Sequence, residues 1–453
     1  MQTRQKEKTI LRDLGDGLIL RRTTEADTEA LVAFNAQIHS DEGPEKPDLR
    51  VGAWVRDLMA GSHPTFQIGD FTVVEDTTHG KIASSMNLIS QIWSYDGMPF
   101  GVGRPELVGT LPEYRNRGLV RAQFELIHQW SAERGELVQA ITGIPYYYRL
   151  FGYEMTLNLG GGRAGYRSQV PQLKEGEEES YRVRKADEPD LGLIAGLYQA
   201  ACQRYLINCV WEDSLWRYEL KGKSAQNVNR FELCIIETPL GEPVGFLAHP
   251  ILNWGGATML AAVAYELKPG YSWGEITPSV IRYLWSTGEA IAAQEGKSEQ
   301  FASFGFWLGD EHPVYQVLND QQLPRVRKPY AWYVRVSSIP AFLHQITPVL
   351  ERRLSTSPYT GHSGELKLTF YRSGVRLVLE KGRLAQIENW QPTPHGHSGE
   401  AAFPGLTFLQ LLFGYRALEE LTYAFPDCWS TDAASGLLKC LFPKQNSDIW
   451  PIS

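Results

Sequence analysis

The stretch VGTLPEYRNRGLVRAQFELIHQW (residues 108–130) decides how the rest of the chain is read. An apolar run ends at Pro112. Arg115 and Arg117 bracket Asn116, a lone Gly118 follows, and an amphipathic segment begins. Val120, Phe124 and Ile127 recur at helical spacing, and Gly135 is placed as a C-cap. The pattern predicts a strand, a turn and a helix. A helix N-terminus leaves backbone N–H groups unpaired and carries partial positive charge, so a phosphate can bind there. Gly118 would let the backbone approach a ligand closely. Arg115, Arg117 and Arg121 would add charge-assisted bonds. Taken alone, the stretch reads equally well as a solvated basic turn.

The flanks extend the same alternation. Ile19–Arg22 reads as a strand, and Thr23, Thr24, Glu25 and Asp27 open a helix carrying Leu31, Phe34 and Ile38. Phe71–Val74 and Ile82–Trp93 read as strands, with Tyr95-Asp96-Gly97 as a hairpin turn. The helix of the opening stretch runs to about Arg134, followed by a strand near Val138–Ile141 and the aromatic segment YYYRLFGY at 146–153. Residues 160–180, with GGGRAG, Pro171 and KEGEEES, read as loop and linker. Gly160, Gly162 and Gly165 spell GxGxxG, but no helical period follows, so the match is a decoy.

Arg184 to Asp190 repeats the pattern of Arg21 to Asp27 at an offset of 163 residues. Both copies precede a helical apolar stripe, here Leu193, Leu197 and Ala201. The same offset carries Arg115 onto Pro278, inside KPGYSWGEITPSVIRYLWSTGEAIAAQEG. A strand (Met259–Tyr265) and a helix (about Pro278 to Ala293) stand in matching places, with Pro278 in the first turn. No Arg-x-x-Gly opens that helix. A third region follows 330–343, with short strands at Leu366–Tyr371, Val375–Leu379 and Leu384–Ile387, and a Leu-rich helix at Phe408–Leu421. His362, His395 and His397 lie in two GHSGE-bearing polar loops, and no Cys or carboxylate spacing completes a metal site.

Composition bounds the function classes. The 453 residues, 43% hydrophobic, exceed the roughly 250–300 at which single cores stop growing, so more than one domain is expected. The net charge of −8 argues against nucleic acid as the main partner and tolerates a cationic one. The cysteines (Cys202, Cys209, Cys234, Cys428, Cys440) are odd in number and form no CxxC pair, which points to a reducing, cytoplasmic setting. The start, MQTRQKEKTILRDLGDG, lacks the apolar region of a signal peptide. No run approaches the roughly 18 apolar residues of a membrane span, so no membrane partner is expected.

LVGTLPEYRNRGLV resembles the acetyl-CoA motif of the GNAT N-acetyltransferase superfamily, whose core is Arg/Gln-x-x-Gly-x-Gly/Ala. Arg115 and Gly118 match, and Val120 replaces the final small residue, as in the enhanced intracellular survival (Eis-like) branch. Tyr148 to Tyr153 resembles that branch's Tyr-x-x-Phe-Gly-Tyr segment. The resemblance implies an α/β (α+β) fold of tandem GNAT-type mixed sheets with flanking helices. It divides the chain into an active acetyltransferase domain (1–165), a degenerate copy (178–338) and a sterol-carrier-protein-like domain (339–453).

The resemblance also implies direct transfer of acetyl from acetyl-CoA to a primary amine of a cationic small molecule or lysine. Val108, Gly109 and Thr110 would meet the pantetheine arm and the developing oxyanion. Arg115, Asn116, Arg117, Gly118, Leu119, Val120 and Arg121 would hold the pyrophosphate. Tyr148 would be the general acid toward the leaving thiolate. The C-terminal carboxylate, here Ser453, would accept the amine's proton, although the branch's usual aromatic terminus is absent. His39, Asp41 and Glu42 are alternatives for that role or for binding a cationic substrate. The resemblance further implies a homo-oligomer, with hexamers known among relatives. The competing expectation is a catalytically inactive GNAT-fold binding protein whose C-terminal domain holds an apolar ligand.

Overall fold

Alternating burial and two-residue turns build the first third of the chain. The structure is a computed structural model that describes residues 9–393 and 398–453, so His395 and His397 lie outside the described residues. The first segment runs β1 (Ile10–Gly15), β2 (Leu18–Arg22), α1 (Thr28–Ile38), α2 (Leu49–Met59), β3 (Phe71–Asp76), β4 (Lys81–Tyr95), β5 (Met98–Thr110), α3 (Leu119–Glu133), β6 (Val138–Ile141), β7 (Glu154–Leu159) and β8 (Gly162–Tyr166). The expected hairpin joins β4 to β5. Asp96 and Gly97 both have positive φ (49° and 88°), as a two-residue turn matched to strand twist requires. Met86 and Leu88 of β4 pack on Phe124, Ile127 and Trp130 of α3. Ile89 and Trp93 face the other way, into the core shared with Leu31 and Phe34 of α1 and Val55 and Leu58 of α2. Helices therefore cover both faces of the sheet.

The second segment runs β9 (Arg182–Lys185), α4 (Leu191–Cys202), β10 (Ile207–Cys209), β11 (Phe231–Glu237), β12 (Pro243–Pro250), β13 (Met259–Ala262), β14 (Ala264–Leu267), the long helix Trp273–Gln294, β15 (Ser303–Phe306), β16 (Arg325–Arg327) and β17 (Tyr330–Val336). The predicted strand Met259–Tyr265 is split at Val263 into β13 and β14, which join different sheets. The predicted helix starts five residues early, at Trp273, so Pro278 lies inside it rather than in its first turn.

The Arg–Asp pattern recurs at the level of atoms. Arg21 donates through both terminal nitrogens to Asp27 (2.9 and 2.7 Å) and through Nε to Glu75 (2.5 Å). Arg184 repeats this with Asp190 (2.7 and 2.9 Å) and Glu237 (2.8 Å). Each aspartate also accepts the backbone N–H three residues before it. The same staple thus pins each strand to the helix that follows.

Two strands cross between the copies. The first sheet has the order β1-β2-β3-β4-β5-β6-β17-β7, with β10 pairing on β4. The second copy forms β14-β12-β11-β9 and β13-β15-β8-β16. Thus β17, at the end of the second segment, sits between β6 and β7 of the first. Reciprocally, β8, at the end of the first, sits between β15 and β16 of the second. This corrects the reading of GGGRAG as loop from Gly162 onward, while Gly160 and Gly161 stay outside the strand. A side chain at Gly165 would stand 2.6 Å from the Phe304 ring, so glycine there is what admits the strand.

The last segment packs a five-stranded sheet (order β20-β19-β18-β21-β22, with β18 Gly364–Thr369, β19 Gly374–Glu380, β20 Arg383–Trp390, β21 Ala401–Ala402 and β22 Trp429–Ser430) against helices. The predicted helix Phe408–Leu421 is two short helices, Phe408–Leu412 and Leu418–Ala424, with Gly414 at φ 65° between them. The final residues leave this unit. Leu206 N–H donates to the Asn446 carbonyl (2.8 Å), Asp448 N–H to Ile207 (3.0 Å), and Trp211 Nε1 to Trp450 (2.9 Å). The tail is strapped along the second segment toward the first sheet.

Candidate active site

A cleft opens where two parallel strands part. β5 and β6 share register only at Val102–Val138 and Gly103–Gln139. β5 continues to Thr110 and β6 to Ile141, so residues 104–110 and 140–141 form facing edges without a ladder between them. The far edge of β6 is filled by β17, with Tyr333 opposite Ile141. On its other side β5 carries a bulge. Ser85 pairs with Gly109 and Asn87 with Glu106, which leaves an extra residue on β5 where Leu107 takes φ 53°. A bulge kinks and re-aims its strand. Val108, Gly109 and Thr110 lie just beyond it. Ser85 Oγ donates to the Leu107 carbonyl (3.3 Å) and Ser84 Oγ to that of Gly109 (2.7 Å).

The turn after β5 delivers α3 to the mouth of this cleft. Tyr114, buried, donates to Asp76 (2.5 Å), which fixes the turn on β3 and holds the Asp76 carboxyl well below the usual carboxylate range. Asn116 and Gly118 both have left-handed backbones (φ 62° and 76°). Gly118 is the N-cap of α3, and no side chain caps that end. A Cβ on Gly118 would meet nothing within 4 Å. Its need is thus the left-handed turn, and the space beside it is open. Arg115, Asn116, Arg117 and Arg121 are exposed around this end, while Leu119 is buried and Val120 half-buried. Arg117 pairs with Asp16 (3.0 Å), and Arg121 lies over the Phe151 ring (5.4 Å). The helix is aimed by Gln123, fully buried, whose Nε2 donates to Thr72 Oγ1 (3.0 Å) and whose Oε1 accepts from Ser84 (2.7 Å). The matching helix of the second copy differs at this end. Ser272 caps it, accepting from the Glu275 N–H (3.4 Å), and an acid stands in its first turn.

Tyr148 lies on a short 3-10 turn, Tyr147–Phe151, packed on α3 through Phe124. It is the buried one of the consecutive tyrosines 146–148; Tyr146 is 70% exposed. Burial, followed by the charge of Glu106, pushes the Tyr148 phenol well above its ordinary value. The group therefore stays protonated throughout the neutral range.

The tail reaches the same sheet from the opposite face. The Ile452 carbonyl accepts from Gln91 Nε2 and Arg104 Nη1, both at 2.8 Å. Ser453 is buried, and its Oγ lies 3.3 Å from Lys223 Nζ, which is itself bound to Glu219 (2.5 Å). Arg104 also pairs with Glu106 (2.5 Å). Arg104 thus joins the tail to Glu106, whose charge also acts on the Tyr148 phenol.

Of the alternatives for the proton acceptor, Asp41 and Glu42 are exposed, and Glu42 pairs with Lys46 (3.0 Å). His39 is inside. Burial lowers its pKa, and its Nε2 has no partner. Asn87, fully buried and opposite Glu106, has no partner for either side-chain amide atom. Its side chain points to the α1–α2 face, like that of Ser85, which reaches Asn35 of α1 (3.3 Å). Trp54 Nε1 and His63 Nε2 on that face are unpartnered too, and burial holds His63 neutral with a pKa of about 3. An unpaired buried polar group costs about 1–3 kcal/mol, so each of these atoms calls for a polar partner.

Sequence reading missed Glu106, Arg104 and Asn87. The available signal was two charges, Arg104 and Glu106, in an otherwise apolar strand. Among the described residues no group of three or more His, Cys, Asp or Glu side chains could hold a metal ion, and no helix is long and apolar enough to cross a membrane.

Residues 20–156 match the family model described as "Acetyltransferase (GNAT) domain". No curated protein matches the chain by sequence. Solved structures share the fold along nearly the whole length. A GCN5-related N-acetyltransferase from Kribbella flavida superposes with a TM-score of 0.59 at 18% identity, covering 96% of this chain and 98% of that one. A GCN5-related N-acetyltransferase from Anabaena variabilis gives 0.62 at 14%, covering 95% and 99%. Eis1 from Mycobacterium abscessus gives 0.58 at 12%, covering 95% and 99%. At these identities the likeness concerns the fold. Residues 20–156 thus match a GNAT acetyltransferase domain, a match that supports acetyltransferase activity, and the architecture is mixed α/β.

Proposed function

We propose that the protein is an acetyl-CoA-dependent N-acetyltransferase acting on a primary amine of a cationic small molecule or lysine, by direct transfer. The observation that carries this is the uncapped N-terminus of α3, with Gly118 at φ 76°, placed at the cleft where β5 leaves β6. The exposed Arg115, Arg117 and Arg121 and the backbone N–H groups of Gly118 to Arg121 fit a pyrophosphate. The unpaired edge of β5 at Val108, Gly109 and Thr110 fits an extended pantetheine arm. Acetyl-CoA supplies the activated acetyl thioester.

The protein's own groups do the rest. A backbone N–H near Val108 faces the carbonyl oxygen as charge develops on it. Tyr148, kept protonated, donates toward sulfur as the thiol leaves. Glu106 and Asn87 form the polar recess that receives the acceptor amine. Ser453 takes the amine's proton, which must be lost for attack. The domain reading (1–165, 178–338 and a sterol-carrier-like 339–453), the cytoplasmic setting and the homo-oligomer belong to the same proposal.

A thermal-shift titration with acetyl-CoA, joined to an amine screen that follows free thiol release, tests it. Stabilisation by acetyl-CoA and amine-dependent thiol release are expected, with loss of turnover in Tyr148→Phe. No stabilisation at millimolar acetyl-CoA would overturn the reading.

A further inference from the structure

We propose that Tyr330 and Tyr333, carried on β17 from the second segment, are positioning residues that hold the Tyr148 turn in its working geometry. The inference rests on the acid role proposed for Tyr148. The segment that leads into Tyr148 is held in an unfavourable backbone path. Gly143 has φ 120°, and Tyr146, which carries a side chain, has φ 66° and ψ −20°. A side-chain-bearing residue persists in such a region only when its surroundings over-determine it. Packing of the Tyr146 side chain does not do so, because that side chain is 70% exposed.

The backbone is instead held from β17. Tyr146 N–H donates to Tyr333 Oη (3.0 Å), and Tyr330 Oη donates to the Gly143 carbonyl (2.6 Å). These bonds fall on the two special backbone positions. The Tyr148 hydroxyl lies 3.5 Å from where a Cβ on Gly143 would stand, so the path at Gly143 sets the space around that hydroxyl. The Tyr333 ring also packs against Tyr148, with centroids 6.1 Å apart. Tyr333 sits opposite Ile141 at the end of β6. One strand therefore both closes the first sheet and sets the catalytic turn. The copy that lacks the anion site contributes to the chemistry through this strand.

The test is a pair of single substitutions read alone and in combination with Tyr148→Phe. Tyr333→Phe keeps the ring and removes the acceptor for Tyr146. It is expected to lower kcat about tenfold with the acetyl-CoA KM near the parent value, and to add no further loss in the Tyr148→Phe background. An equal loss in both backgrounds, or a parental rate, would overturn the proposal. Tyr330→Phe, at a half-exposed position, gives the same reading if Tyr333→Phe folds poorly. A parental rate for Tyr148→Phe would instead refute the acid assignment. The positioning claim is then read from hydrogen exchange at the Tyr146 amide, which should quicken in Tyr333→Phe. Unchanged protection there would overturn it.

Discussion

Arg117 and Asp16 give the sharpest test of the anion cradle, because their substitutions should act in opposite directions. In the structure Arg117 lies 3.0 Å from Asp16, with side chains 36% and 86% exposed. Such a surface pair contributes about 0.2–1 kcal/mol. A charge-assisted bond from Arg117 to a phosphate oxygen is worth about 1.5–3 kcal/mol. Arg117→Ala should therefore weaken acetyl-CoA about ten- to hundredfold, since each 1.4 kcal/mol is about tenfold. Asp16→Ala releases Arg117 from its competitor and should tighten binding, by about fivefold at most.

Isothermal titration with acetyl-CoA reads both variants, and S-acetylpantetheine, which lacks the pyrophosphate, serves as control. Neither variant should change the affinity of the control. The acetyl-CoA effects should shrink as salt is raised, because exposed charges are screened beyond about 8–10 Å at physiological ionic strength. If Asp16→Ala weakens acetyl-CoA, or if Arg117→Ala weakens the control equally, then Arg117 serves the β1–β2 turn and the cradle reasoning fails.

Two further outcomes follow from buried polar groups. Asn87→Leu removes an amide with no protein partner, so its melting temperature should stay level or rise while the acceptor KM rises severalfold; a fall in melting temperature with an unchanged KM would refute the recess. Burial raises the Asp448 carboxyl to about 6, a rise that nearby Glu266 reinforces and that His312 and Arg204 oppose. Its folded pKa lies above its unfolded one, so between about pH 4 and 6 the folded state binds the extra proton and this contribution to stability falls as pH rises. Asp448→Asn should be more stable than the parent above pH 6 and should lose that advantage near pH 4 in denaturant titrations; a constant difference across that range would refute the assignment.

Much of the first segment was legible because local rules and tertiary packing agree there. Asp96-Gly97 carries the turn chemistry that a two-residue hairpin needs, and β6 falls at Val138–Ile141 as its apolar run predicts. The 163-residue repeat was legible because an Arg and an Asp six residues apart form the same staple twice. What failed to show was set by distant partners. GGGRAG looks like a linker until Phe304 and Val326 are placed on either side of it. Glu106 is a stray charge in a strand until the bulge at Leu107 and the ion pair with Arg104 give it a place. The Gly118 turn was readable as a cradle, but the reason for the glycine was not: it is the left-handed N-cap, with no close neighbour to avoid.

The comparison between the copies separates what the fold needs from what the chemistry needs. Both copies keep the Arg–Asp–carboxylate staple, so that feature belongs to the architecture. One copy leaves its helix N-terminus uncapped and ringed by arginines. The other closes it with Ser272 and carries Glu275 in its first turn. The second segment keeps the staple beside a capped helix end, so the staple does not depend on an open one. What the second segment supplies to the first is topological. Without β17, the strands β6 and β7 would have no ladder between them, and the backbone of the Tyr148 turn would lose both of its tethers. Without Lys223, which binds Glu219 and the Asn229 carbonyl, Ser453 would lose its buried partner. The second segment thus lends β17 and Lys223 to the proposed site of the first, which gives two frameworks a use beside one proposed cradle.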